Sequence, residues 1–328
     1  NNGVLPASYL LSLASLLKIS RELKEYSQSD IDTSFSTVVI PYFDELYSNV
    51  KIENIIFSSI IDENTIDDRA SAKLYNIRKK ERKTEQDIRN TLSSFLNSKY
   101  IQEPIITIRN NRFVIPVKQE YRSEVKGLLH DTSASGSTLF IEPISVFELN
   151  NSLNNLKVEE NSEIEVILSK LSTLFADILD ELEHNFYNIA KIDFAFAKAK
   201  YANSIKASEP IISNKKQIVL KNARHPLIDA NKVVPISINL GENFSTLVVT
   251  GPNTGGKTVT LKTVGLLTSM AMCGLHIPAD ENSIIYIFDF IFADIGDDQS
   301  ISASLSTFSA HMTNIIEIIN KSSSESLV

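Results

Sequence analysis

Gly251-Pro252-Asn253-Thr254-Gly255-Gly256-Lys257-Thr258 fits the pattern G-x-x-x-x-G-K-[ST]. Each residue type in it has a chemical reason. Glycines let backbone N–H groups turn inward around phosphate oxygens. A helix that starts at the loop aims its N-terminus at the same anion. A lysine at position 257 reaches the β- and γ-phosphates, and a hydroxyl at Thr258 ligates Mg²⁺. Glycine fills only 10 of 328 positions, so an accidental match is rare. The alternative reading, a glycine-rich turn that happens to hold a lysine, is the weaker one.

The elements around the loop agree with that chemistry. Leu247–Val249 reads as a strand leading into it. Lys257 to Cys273 reads as the helix leaving it, with Gly274 in a left-handed stop and Pro278 shortly beyond. Ile218–Leu220 is a further strand candidate, so the chain from about residue 207 reads α/β. Cys273, the single cysteine, lies in an apolar stretch and is expected to be buried and inert.

Upstream the pattern is helical. Pro6 opens a helix marked by Leu10, Leu13, Leu16, Leu17 and Leu23. Ile60–Asp68 reads as a turn between short extended pieces. Leu74, Ile77, Ile88, Leu92, Phe95 and Leu96 mark a second long helix. Its other face carries Lys73, Arg78, Lys79, Lys80, Arg82, Lys83 and Arg89. That face is read as solvated, with a phosphate-facing stripe as the functional alternative.

A β-rich insert covers about 104–142. Asn110-Asn111 sits between two apolar runs as a hairpin turn, and Ser133-Ala134-Ser135-Gly136 as another. Helical period then resumes from Ser145 to about Ala202. Asn150-Asn151 and Asn154-Asn155 interrupt it either as packed polar groups or as a bend. The expected architecture is therefore multidomain. A mainly α-helical domain with a small β insert occupies 1–206, and an α/β domain occupies 207–328.

Composition sets the limits. Hydrophobic residues at 43% and charged residues at 22% fit a folded globular protein. The net charge of −8 excludes a uniformly basic nucleic-acid binder but not a local basic stripe. One cysteine excludes an internal disulfide framework, and the five histidines show no metal-ligand spacing. No apolar run approaches the roughly 18 residues that span a bilayer. A cytoplasmic protein with no membrane partner is expected. Asn1 and Val328 make neither a natural start nor a natural end, so a fragment is expected.

Taken with its surroundings, Thr250 to Thr258 resembles the MutS family of ABC-type ATPases. Arg224-His225-Pro226-Leu227-Ile228 is similar to the element that enters the ATPase domain there. Gly274-Leu275-His276-Ile277-Pro278-Ala279, Ala293-Asp294-Ile295-Gly296-Asp297-Asp298-Gln299-Ser300-Ile301 and Leu305-Ser306-Thr307-Phe308 narrow the resemblance to a bacterial branch that ends in an Smr nuclease domain. The segments 106–118 and 130–143 resemble the same branch.

The resemblance implies a helical core and lever domain followed by the first part of a P-loop ATPase domain. It implies ATP or ADP with Mg²⁺ held by Gly251, Pro252, Asn253, Thr254, Gly255, Gly256, Lys257 and Thr258, with His225 and Pro226 flanking the adenine. It implies a homodimer in which the partner's Ser306 and Thr307 close on the γ-phosphate. By pattern alone Asp289, after the apolar run 284–288, is a candidate for the Mg²⁺-positioning acid; the family order of elements instead implies that this acid lies beyond Val328, which makes Asp289 a structural residue and this chain inactive in hydrolysis by itself. The whole protein would be an ATP-driven clamp on branched or recombining DNA, suppressing recombination, or on collided ribosomes, with endonuclease activity in a further domain. Two other readings stay open at this point. One is a nucleotide-binding scaffold without hydrolysis. The other is an unrelated P-loop kinase or GTPase, for which no Asn-Lys-x-Asp-like motif is present.

Overall fold

The computed structural model describes residues 3–29, 38–252, 255–295 and 304–328; for 304–310 it describes the backbone alone. The chain folds as two compact units, Asn1–Lys191 and Ile192–Val328. The division falls within a helix, earlier than the expected boundary at 206/207.

The first unit opens with α1 (Ala7–Gln28), α2 (Ile40–Asp44) and α3 (Val50–Ser59). Pro6 is the N-cap of α1, one place before its first turn. A two-stranded ribbon, β1 (Ile60–Asp62) with β2 (Thr65–Ile66), leads to α4 (Ala72–Leu96). The Ser71 hydroxyl caps α4 by accepting from the Leu74 N–H at 2.9 Å. The insert then supplies β3 (Thr107–Arg109), β4 (Arg112–Lys118), β5 (Gly127–Thr132) and β6 (Thr138–Pro143), in sheet order β3-β4-β6-β5 and all antiparallel. Asn110 and Asn111 both adopt positive φ, 49° and 61°, which is what a two-residue primed hairpin turn requires. After it come α5 (Ile144–Ala176) and α6 (Leu179–Ser204).

The pair α4 and α5 carries a core at each end. Toward one end Leu74, Ile167, Leu171 and Phe175 pack with Leu10, Leu17, Ile52 and Ile56 of α1 and α3. Toward the other, Ile88, Leu92, Val146 and Leu153 pack with Phe113, Ile115, Val117 and Ile141 of the sheet. Ion pairs fasten the helices between these cores. Arg78 meets Glu160 at 2.6 Å and Lys73 meets Glu163 at 2.9 Å.

The β insert is tied to α5 by a buried polar network. Glu142 is fully buried. Its carboxylate accepts from Arg112 at 2.7 Å and from the Asn150 amide at 2.8 Å, and lies 2.6 Å from His130 Nε2. Asn150 also accepts from the Phe113 N–H and donates to the Phe113 carbonyl, both at 3.1 Å. Asn151 accepts from Arg112. Of the two expectations for the asparagines, Asn150-Asn151 are packed polar groups, and α5 runs unbroken through Asn154-Asn155.

The second unit has a four-stranded mixed sheet in the order β7-β10-β8-β9. Its strands are β7 (Ile211–Ser213), β8 (Ile218–Ala223), β9 (Ile236–Leu240) and β10 (Ile284–Tyr286). Helix α7 (Lys257–Met272) supplies Leu267, Met270 and Ala271 to a core shared with Ile218, Leu220 and Ile285. Gly274, at φ 72°, ends α7, and the Leu275 N–H returns to the Met270 carbonyl at 3.0 Å. Two further strands, β11 (Phe290–Ile291) and β12 (Ser326–Leu327), pair in parallel, and α8 (Ser304–Lys321) lies between them in sequence.

Two expectations are corrected here. Leu247–Val249 is not a strand; the segment is extended only in sequence pattern, and Val248 is 76% exposed. A strand needs a neighbour to take up its N–H and C=O groups. Among the described residues no strand pairs with it. Cys273 is exposed rather than buried. It is the C-cap of α7, one position past the last helical residue, so it leaves the apolar face that Met270 and Ala271 bury.

Candidate functional site

The glycine-rich loop sits at the head of α7. Gly251 has φ 146° and Gly256, the N-cap, has φ 77°, so both occupy backbone space that a side chain disfavours. A Cβ built at either position would meet nothing within 4 Å. Space is open beside both glycines, and backbone N–H groups can approach an anion where no side chain stands. Gly255 is in closer quarters, with a Cβ there lying 3.1 Å from the Pro252 carbonyl oxygen, which accepts the Gly255 N–H. Asn253 and Thr254 lie outside the described residues.

Lys257 is the first residue of α7, and its ammonium donates to the Gly251 carbonyl. The side chain thus folds across the loop from its end to its beginning. Thr258 follows on the first turn and is exposed. The first intrahelical bond runs from the Thr260 N–H to the Gly256 carbonyl at 2.9 Å. Residues 257–259 therefore precede the bonded ladder, and the positive end of the helix dipole lies there. Lys257, Thr258, Gly251, Gly255 and Gly256 are brought together as the spacing predicts, with Pro252 completing the turn.

The remaining candidates are placed differently. His225 Nδ1 accepts from the Leu227 N–H at 3.3 Å, and the His225 carbonyl accepts from Ile228 at 3.1 Å. These bonds fold 225–228 into a turn beginning at Pro226. No hydrogen bond among the described residues joins His225 or Pro226 to the loop. Ser306 and Thr307 fall in the first turn of α8. Asp289 is exposed, and its N–H donates to the Glu325 carbonyl at 2.9 Å, just ahead of β11. Of the motif 293–301, only Ala293 to Ile295 is described.

Sequence reasoning gave Asp294 no individual role. Its carboxylate meets His311 Nδ1 at 2.8 Å and the Asn314 amide at 3.0 Å. Asn314 and His311 hold that carboxyl below the usual carboxylate range. Asn314 also donates to the Ala293 carbonyl at 3.2 Å. These bonds fix α8 to the segment that follows β11. The i, i+3 spacing of His311 and Asn314 puts both on one helix face, but nothing in sequence says which carboxylate that face meets. Glu325, before β12, is similarly held low by Lys216 and then by the Tyr286 hydroxyl. Among the described residues no group of three or more His, Cys, Asp or Glu is placed to hold a metal, and no helix is long and apolar enough to cross a membrane.

Comparison with known proteins adds to this geometry. The family model described as MutS domain V matches residues 247–328, the stretch that begins four residues before the loop. Proteins named Endonuclease MutS2 match nearly the whole chain. The one from Acetivibrio thermocellus is 48% identical over 331 residues, covering 99% of this chain and 42% of the relative. That from Clostridioides difficile is 47% identical over 324 residues, with 97% and 41% covered. That from Halalkalibacterium halodurans is 46% identical over 339 residues, with 99% and 42% covered. The chain thus spans about four tenths of the length of the curated relatives it matches.

Proposed function

Because this chain belongs to the MutS family and is similar to the proteins named Endonuclease MutS2, we propose that it is the nucleotide-binding core of a DNA-acting, ATP-driven dimeric clamp. The observation that carries the nucleotide assignment is the loop itself. Two glycines with positive φ have open space beside them, and Lys257 reaches back across the loop from the first turn of α7.

The residues fit a nucleoside triphosphate. Backbone N–H groups of the loop and of 257–259 would bind the phosphate oxygens. Lys257 would leave the Gly251 carbonyl for the phosphates, exchanging a neutral acceptor for a charged one, which is the stronger bond. The exposed Thr258 hydroxyl would hold Mg²⁺, which when bound neutralises charge on the phosphates. Pro252 fixes the turn, and Asn253 and Thr254 are assigned to the nucleotide from the sequence motif alone. His225 and Pro226 are assigned to the adenine side, and Ser306 and Thr307 to the partner subunit's nucleotide. The second unit is read as the first part of an ABC-type P-loop domain, and β12 as the start of the strand that leads to the Mg²⁺-positioning acid. The first unit supplies the lever that couples nucleotide state to DNA. The relatives are named endonucleases, and by the family resemblance that activity of the whole protein is assigned to a part of its length outside this chain.

The test is equilibrium binding of ATP, ADP and AMP in the presence of Mg²⁺. A loop that grips the β- and γ-phosphates binds ATP and ADP much more tightly than AMP. Equal affinity for all three would place recognition on the nucleoside and contradict the assignment.

A further inference from the structure

Seven basic residues lie on α4, and the structure divides them into two groups. Four have partners. Lys73 pairs with Glu163 at 2.9 Å, Arg78 with Asp68 at 2.7 Å and Glu160 at 2.6 Å, and Arg82 with Asp68 at 3.2 Å. The Arg89 guanidinium lies 5.0 Å over the Phe113 ring. The other three, Lys79, Lys80 and Lys83, are exposed and make no ion pair among the described residues. With Asn76 they line a shallow depression of about 380 Å³. Positions 76, 79, 80 and 83 share one helix face, and 79 to 83 spans about 6 Å along the axis.

We infer that this face of α4 is a contact surface for the phosphate backbone of duplex DNA. Three like charges within one helical turn repel one another, and a chain of net charge −8 does not need them for solubility. Their natural complement is a row of anions. Lysines are point charges on flexible stems, without the planar fork that selects a single phosphate or carboxylate. Such groups suit backbone contacts that position a duplex without reading it. The lining of the depression holds no aromatic ring on which unpaired bases could stack, which favours duplex over single strand.

The charged groups around this face leave it cationic. Glu81 is half-buried beside Lys157 and Glu160, and burial raises its carboxyl above the usual range. Glu85 lies one turn beyond Glu81 on the same side, and Asp87 lies a turn past Lys83.

The surface rests on the DNA-acting reading above, and the experiment separates the two. Binding of the full chain to a short blunt DNA duplex is followed by fluorescence anisotropy across a salt series. The variants are K79A/K80A/K83A and a control, K51A/K170A, at exposed positions on other helices. Alanine keeps helix propensity, so circular dichroism and melting should match the parent. The expected result is a slope of log affinity against log salt that is shallower by about 3 in the triple variant, since each lost phosphate contact removes about 0.9. The control should keep the parental slope. An unchanged slope in the triple variant would overturn the surface while leaving the DNA-acting reading intact. Absence of salt-dependent binding by the parent would overturn both.

Discussion

Glu142 in the β insert and Lys257 at the head of α7 are both charged residues at the edge of a sheet-and-helix core, yet their surroundings differ in kind. Glu142 is fully buried, and Arg112, Asn150 and His130 surround its carboxylate. Every partner is internal, so the group is spent on holding β4 and β6 to α5. Lys257 is half-exposed, and its ammonium bonds the carbonyl of Gly251, in an exposed loop with open space beside Gly251 and Gly256. Buried polar groups that satisfy each other specify structure. Polar groups arranged around open space at a helix N-terminus are available to a ligand. In the β insert the ion pairs Arg109–Asp131 and Arg112–Glu142 join one strand to another.

Removing Glu142 tests this most severely. E142A takes the shared carboxylate from Arg112, Asn150 and His130, and breaking a buried pair in this way costs about 3–5 kcal/mol. Urea unfolding should show that loss in the first unit, with nucleotide affinity unchanged. N150A comes next. It removes both bonds to the Phe113 backbone, and a buried amide group left unmade costs about 1–3 kcal/mol. The unfolding midpoint should fall by less than in E142A.

The loop should respond in the opposite sense. In G256A a side chain occupies a left-handed position, at about 1–2 kcal/mol. Part of that penalty should appear as weakened ATP binding, because relaxation of the loop moves the N–H groups that face the phosphates. A variant with full affinity would show that the φ of 77° has no part in binding.

The smallest effect is expected at Glu81. Burial and then the nearby Glu160 raise its carboxyl above the usual range, and one of its oxygens lacks a hydrogen-bond partner. At neutral pH the folded state carries that penalty. Below the ordinary carboxylate range the group is protonated in both folded and unfolded chains, and the penalty vanishes. E81Q should therefore melt slightly higher than the parent near pH 7, with the difference shrinking toward zero as pH falls below about 4. A gain that grew in acid would contradict the sign.

Local chemistry in the sequence was enough to place several features. Asn110-Asn111 tolerate the positive φ of a hairpin turn, Gly274 stops α7, and the loop spacing brings Gly251 and Lys257 together. Each of these depends on residues near one another in the chain. What was not legible depends mostly on placement in three dimensions. Leu247–Val249 has the composition of a strand, but pairing needs a neighbour that composition cannot supply. Cys273 lies one position beyond the buried face of α7, a difference that apolar neighbours do not reveal. Asn150 reads as either a packed polar group or a bend, and its partners Phe113 and Glu142, on other elements, decide for the first. The basic run on α4 is uniform in sequence, and only the placement of Asp68, Glu160, Glu163 and Phe113 sorts paired from unpaired cations.

The central claim is that the loop at 251–258 is a nucleotide site rather than a structural turn. Titration of the parent chain and of K257A with ATP and Mg²⁺, followed by calorimetry, addresses it directly. The account predicts saturable one-site binding by the parent. In K257A the affinity should fall about ten- to a hundredfold, as expected for the loss of a charged hydrogen bond of about 1.5–3 kcal/mol, with the melting temperature unchanged. Equal affinity in the two proteins, or no binding by the parent, would contradict it.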